Sequence, residues 1–338
     1  PRDRDWERRA RDRLERLTMP RWALGRLMDL AVELAGMTRS MEPPTADRRV
    51  VVMAADHGVT AEGVSKYPQE VTRQMVHNFL SGGAGINALA RSANADVQVV
   101  DMGVSGGPFK SDVIDKRISD STWNIAQGAA MSRWQAMRSI EAGIDLALEA
   151  DADADLLATG EMGIGNTTAS TAVSAALTGL SPRELADRGT GIDDRQLENK
   201  IEVVEKALEL NHPDGDDALD VLVKVGGFEI GGIAGLILGG ACRQMPVVVD
   251  GFISTAGALI AHGLCPAATE YVVAGHRSTE KGHDVLLKHL DKTPLLDLDL
   301  RLGEGSGAAL ALNLVDAAAR LLHEVSTFEE ASVSGEEE

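Results

Sequence analysis

Six short apolar runs constrain this chain more than any other feature: residues 49–56, 97–104, 155–163, 221–227, 246–252 and 270–275. The first, Arg49-Val50-Val51-Val52-Met53-Ala54-Ala55-Asp56, has no polar alternation, as expected of a strand covered on both faces. Most of the intervening segments have helical spacing, so the runs imply six strands joined by helical crossovers, which is a parallel sheet. With 338 residues, 44% of them hydrophobic, the chain can build one large α/β domain and a small helical appendage.

Several runs finish in polar or glycine residues: Asp56-His57-Gly58, Asp101-Met102-Gly103, Gly160-Glu161-Met162-Gly163, Asp250-Gly251 and Gly275-His276-Arg277. Ligands of open α/β sheets bind beyond the carboxyl ends of the strands, so these clusters are expected to converge on one crevice. Ordinary turn chemistry is the competing explanation for each of them. Segment 9–37 reads as two helices broken near Pro20, and 68–91 as two helices broken at Gly82-Gly83. Segment 132–149 is amphipathic, and 198–210 is a charged helix carrying Lys200. Seven glycines within 226–240 suggest close helix-to-sheet contact, and the acidic tail 332–338 reads as disordered.

Composition removes several function classes. A net charge of −19 opposes binding to a phosphate backbone, so no nucleic acid partner is expected. No apolar run reaches the roughly 18 residues of a membrane span, and the charged start lacks the apolar segment of a signal peptide, which points to the cytoplasm. Sparse lysine beside the acid excess would suit a salt-rich cytoplasm, although a GC-rich genome also enriches arginine and alanine. Cys242 and Cys265 have no metal or disulfide spacing and read as small core residues. The eight histidines form neither HxH nor HExxH, and His57 is assigned a structural role.

Two glycine-rich stretches carry the chemistry. Leu302-Gly303-Glu304-Gly305-Ser306-Gly307 places one carboxylate among glycines just before a small-residue helix, where it can face a ligand or merely complement the helix dipole. Gly160-Glu161-Met162-Gly163-Ile164-Gly165-Asn166-Thr167-Thr168 follows a strand and opens a helix, so its amides and hydroxyls can hold a phosphate. It has neither the lysine of a P-loop nor a complete GxGxxG. Lys200 and Arg301 could attract an anionic substrate locally, or could be solvated charges.

Taken together, these segments resemble the nicotinate-nucleotide:dimethylbenzimidazole phosphoribosyltransferases, the CobT enzymes of cobalamin assembly. The resemblance runs through Ala55-Asp56-His57-Gly58-Val59, Glu62-Gly63-Val64-Ser65, Tyr67-Pro68-Gln69-Glu70-Val71-Thr72, the 160–168 stretch, Gly189-Thr190-Gly191, Asp250-Gly251-Phe252 and residues 301–309. It implies transfer of 5-phosphoribose from nicotinate mononucleotide to 5,6-dimethylbenzimidazole, with no metal or other cofactor. It also implies a Rossmann-like, mostly parallel six-stranded sheet flanked by helices (46–300), a small helical domain built from both chain ends (1–45 and 301–331), and a homodimer. Residue by residue, it makes Glu304 the general base and sets Glu161 beside the reacting groups. Gly163, Gly165, Asn166, Lys200, Gly251 and Ser278 would hold the phosphoribosyl part, and Gln74, Arg301 and Leu302 would border the base. The chain departs from the family at Met19-Pro20-Arg21-Trp22-Ala23-Leu24-Gly25, where a Lys-Pro-Pro-Gly-Ser-Leu-Gly segment is usual. A dinucleotide-dependent oxidoreductase and a catalytically silent binding protein of the same fold are the alternatives; the incomplete fingerprint opposes the first and an intact Glu304 the second.

Overall fold

Alternate side chains of each central strand enter two different cores, which is why the strands read as unbroken apolar runs. The computed structural model describes residues 1–110, 112–149, 154–189, 191 and 193–334. Its main sheet contains β1 (Arg48–Ala55), β2 (Ala95–Gly103), β3 (Ile114–Asp115), β4 (Leu156–Met162), β5 (Val247–Val249) and β6 (Val272–Ala274), in the order β3-β2-β1-β4-β5-β6. Every neighbouring pair is parallel. Val51, Met53, Met102, Leu157 and Val247 meet the helices Arg133–Glu149, Asn166–Thr178, Phe228–Cys242 and Phe252–Leu264. Val50, Val52, Val99, Ala158 and Val248 meet the helices Arg26–Thr38, Glu70–Leu80, Gly85–Ser92 and Ser306–Glu324.

One expected strand is a helix. Residues 221–227 fall largely in Ala218–Val225, whose first turn is capped by the Asp217 carboxylate accepting from Leu219 N and Asp220 N. Ala218, Leu222, Val221 and Val225 bury one helical face, and a run this short cannot be told from a strand by hydrophobicity alone. The sixth strand is instead the two-residue β3, paired through Val100 with Ile114 and Asp101 with Asp115. A separate parallel pair, β7 (His276–Ser278) and β8 (Leu296–Leu300), projects beside the end of β6.

The glycine-rich helix Phe228–Cys242 approaches both neighbours: a Cβ on Gly232 would lie 2.5 Å from Met53 Sδ in β1, and one on Gly235 would overlap the Ile140 carbonyl. The contact is therefore with a helix as much as with the sheet. Both cysteines are exposed rather than buried, because each sits at a helix carboxyl end, Cys242 as the last residue and Cys265 just beyond Leu264.

The chain ends meet. Helices Arg4–Leu14, Arg26–Thr38 and Ser306–Glu324 share a core with the sheet face they cover. Leu17 and Thr327 form an antiparallel bridge, and Arg13 Nε donates to the Leu322 carbonyl at 2.7 Å. In the segment that departs from the family, Trp22 adopts φ of 55° and its indole N–H donates to Asp29 at 3.0 Å, folding the loop onto the following helix. Residues 332–334 are exposed, and the rest of the acidic tail lies outside the described residues. Among the described residues no helix is long and apolar enough to cross a membrane.

Candidate active site

The strand order reverses between β1 and β4, the position where an open α/β sheet leaves a crevice at its carboxyl edge. A cavity of about 700 Å³ opens there, a size typical of small-molecule sites. Three of the five polar strand ends converge on it, supplying Glu161, Met162 and Gly163 from β4, Asp250 and Gly251 after β5, and His276 after β6. The other two are turn chemistry. Asp56 accepts from Ser105 N at 2.8 Å, while Asp101 accepts from Gly103 N and Val104 N, both at 2.9 Å, and pairs with Arg117. His57 is buried outside the cavity lining, 2.7 Å from Glu229. Burial opposes charge on its ring, but the Glu229 and Asp56 carboxylates together hold it above its ordinary value.

Glu304 occupies an unusual backbone position. Gly303, Glu304 and Gly305 all have positive φ, at 80°, 63° and 91°. A left-handed conformation costs a non-glycine residue roughly 1–2 kcal/mol, and the flanking glycines let the turn form around it. The turn aims the carboxylate away from the helix it precedes. Glu304 Oε2 accepts from Ile86 N at 3.1 Å, at the amino end of Gly85–Ser92, whereas the start of Ser306–Glu324 is held by Asp250, which accepts from Ala308 N at 2.9 Å and Gly305 N at 3.3 Å. The helix influencing Glu304 is thus not its own. Burial raises its pKa above the usual carboxylate range, the Ile86 amide opposes this, and negative Asp250 adds to it.

Glu161 is more strongly shifted. Burial, followed by the charges of Asp250 and Glu229, pushes it up to about 8, against the opposing hydrogen bond from Asn166 Nδ2. Burial thus favours the protonated form of Glu161 at neutral pH. A Cβ on Gly303 would collide with Glu161 Oε1, so the glycine brings the two carboxylate-bearing loops against each other.

A recess beside the cavity is formed by Gly163, Gly165, Asn166, Thr167, Gly189 and Lys200. Gly165, with φ of 96°, leads into Asn166–Thr178, and Thr72 Oγ1 accepts from Ile164 N at 3.0 Å to fix the loop. Lys200 is 1% exposed, which settles its alternative reading as a solvated charge. Its ammonium donates to Thr167 Oγ1 and the Asp187 carbonyl, both at 3.1 Å. Burial lowers its pKa to about 8, with Glu280 and Asp187 opposing.

The remaining expected site residues divide. Gly251 and Ser278 line the cavity wall; Arg301 and Leu302 stand at its rim, with Leu302 57% exposed and Arg301 donating to the Gly189 carbonyl at 3.4 Å. Gln74 is exposed and outside the lining, whereas Val71 and Met75 of the same helix face the cavity. Thr190 lies outside the described residues. Sequence reading missed Glu280, which lines the cavity near Lys200 and Arg301, and His283, buried behind it. The only available signal was the cluster His276, Ser278, Glu280 and His283 directly after an apolar run. Among the described residues no group of three or more His, Cys, Asp or Glu could hold a metal ion.

A family model described as Phosphoribosyltransferase matches residues 1–333. The chain belongs to this phosphoribosyltransferase family. It is 58% identical to a protein of Syntrophotalea carbinolica and 56% identical to one of Roseiflexus castenholzii, both named nicotinate-nucleotide–dimethylbenzimidazole phosphoribosyltransferase. The alignments cover 99% and 97% of this chain and 96% and 94% of those proteins. The phosphoribosyltransferase of that name from Thermus thermophilus matches in structure with a TM-score of 0.93 at 47% identity, covering 99% of this chain and 100% of the other.

Proposed function

We propose that this phosphoribosyltransferase moves 5-phosphoribose from nicotinate mononucleotide to 5,6-dimethylbenzimidazole, releasing nicotinate and α-ribazole 5'-phosphate. The observation that carries the reading is one cavity with a buried carboxylate, Glu304, at one end and a buried ammonium, Lys200, in the recess at the other. Such a cavity suits an azole with an acidic N–H and a sugar phosphate. The names borne by relatives more than half identical to this chain support the same pair of substrates.

In the donor, the pyridinium nitrogen carries a positive charge and is a good leaving group. One benzimidazole nitrogen attacks C1' from the face opposite nicotinate, and the C1'–N bond electrons return to the pyridine ring. Configuration inverts from β to α. Positive charge developing on the azole acidifies its other N–H, whose proton passes to Glu304. Protonated Glu161 adds no second negative charge beside that base, and its proton can be donated to a substrate oxygen. Gly163, Gly165, Asn166, Gly251 and Ser278 form the wall against the phosphoribosyl part, with Lys200 as its cation. Leu302 and Met75 flank the base; Arg301 closes the rim, and Gln74 reaches the base only if its helix shifts toward the cavity.

We also read the chain as a cytoplasmic homodimer, with the three terminal helices as a small domain. The direct test of function incubates the chain with nicotinate mononucleotide and a panel of azole and phenolic bases, following products by mass. A ribotide of dimethylbenzimidazole with stoichiometric nicotinate is expected. Absence of any ribotide, with every base, would sink the reading.

A further inference from the structure

We infer that His283, which has no surface in the cavity, is a positioning residue that ties the two walls of its nucleotide end together through Thr255. The tie is a directed chain of hydrogen bonds. A backbone amide can only donate, so Ser278 N–H, 2.9 Å from His283 Nδ1, requires that nitrogen to be bare. The ring proton then resides on Nε2, which donates to Thr255 Oγ1 at 2.9 Å. The hydroxyl proton in turn points to the Gly251 carbonyl, 2.8 Å away.

The chain starts and ends on the cavity wall but runs entirely behind it. Ser278 closes β7, and Gly251 precedes the helix Phe252–Leu264; both line the cavity. Main-sheet pairing joins these segments only as far as Val249 and Ala274, and His276 Nε2 lies 3.4 Å from Asp250 Oδ1; beyond those links, the chain through His283 is what reaches Ser278 itself. His283 is fully buried, and each of its ring nitrogens is satisfied. Protonating it would set an Nδ1–H against the Ser278 N–H, and burial together with the nearby His276 and Arg277 lowers its pKa to about 3. The neutral tautomer is therefore the standing form, and the direction of the chain does not reverse.

This inference rests on the reading that Gly251 and Ser278 hold the phosphoribosyl part, so the experiment separates the two. Steady-state kinetics with nicotinate mononucleotide and dimethylbenzimidazole compare Thr255→Val, which removes the hydroxyl at constant shape, with Thr255→Ser, which keeps it. Thr255→Val is expected to raise the KM for the nucleotide about five- to tenfold, the scale of one lost buried hydrogen bond, with the KM for the base within about twofold. Thr255→Ser should retain the parent's nucleotide KM. A packing role alone would move both constants together, or make valine and serine equivalent, and either result overturns the inference. An unchanged nucleotide KM in Thr255→Val overturns it as well; Ser278→Ala then shows whether the nucleotide end stands without the tie, by raising that KM, or falls with it. Thermal melts confirm that each variant is folded at the assay temperature.

Discussion

At the recess end of the cavity, a lysine is buried against two neutral oxygens with Glu280 and Asp187 as its acidic neighbours, and its pKa falls to about 8. At the other end, Glu161 and Glu304 are buried near Asp250, and their pKa values rise. Burial pushes each end toward neutrality by the same physics, and the substrate supplies what each lacks. On the proposed reading, an arriving phosphate stabilises the charge that the buried Lys200 carries, and an arriving azole gives Glu304 a proton to accept. In a protein of net charge −19, keeping Glu161 protonated also limits the repulsion that an anionic nucleotide meets.

The sharpest way to break this contrast is Glu304→Gln, which keeps the shape and an acceptor but cannot take a proton. Turnover should fall by about 10²- to 10⁴-fold while nucleotide binding survives, and the acid limb of the pH–rate profile should disappear. If instead Glu304→Gln is nearly as active as the parent and Glu161→Gln is dead, the base is the wrong glutamate.

At the recess, Lys200→Met should raise the KM for nicotinate mononucleotide roughly tenfold to a hundredfold without altering that for the base, since a charge-assisted contact is lost. The effect should be larger at low ionic strength. An unchanged nucleotide KM at low salt would remove the lysine from the site.

Glu161→Gln gives the smallest effect, visible as a pH dependence of stability. Below pH 4.5 the carboxyl is protonated in both the folded and the unfolded chain. Between about 4.5 and about 8 the unfolded chain releases this proton and the folded chain keeps it, so parent stability falls as pH rises. The glutamine variant lacks that loss and should be more stable than the parent by a few kcal/mol at pH 8, converging with it near pH 4.5. Denaturant midpoints that differ by the same amount at both pH values would show that Glu161 is not held protonated by the fold.

Much of the sheet was legible because both of its faces are covered: Val50 and Val51 enter different cores, and both positions must be apolar. The same logic misread 221–227, where Val221, Leu222 and Val225 are buried on a helix whose start signal is the single side chain of Asp217. β3 was invisible, since two residues show no periodicity. Within the site, Glu304, Glu161 and the 163–166 turn could be picked out because glycine spacing marks close backbone approach. The Ile86 amide under Glu304 and the imidazole behind Ser278 could not, because tertiary approach across 218 residues leaves no local signature, and neither does a histidine whose partners are a backbone amide and a helix hydroxyl. The sequence singles out Lys200 with a solvated charge as its competing explanation, and only its burial decides between the two.

The left-handed turn at Glu304 also bears on how this enzyme responds to engineering. Of the three consecutive positive-φ positions, 303 to 305, only 304 carries a side chain, and it is not one of the types that tolerate the conformation well. Glycine or asparagine there would relieve the backbone, so a library screened for heat resistance alone has an incentive to delete the carboxylate. Consensus or thermostability campaigns on this scaffold should hold position 304 fixed and score turnover in every round.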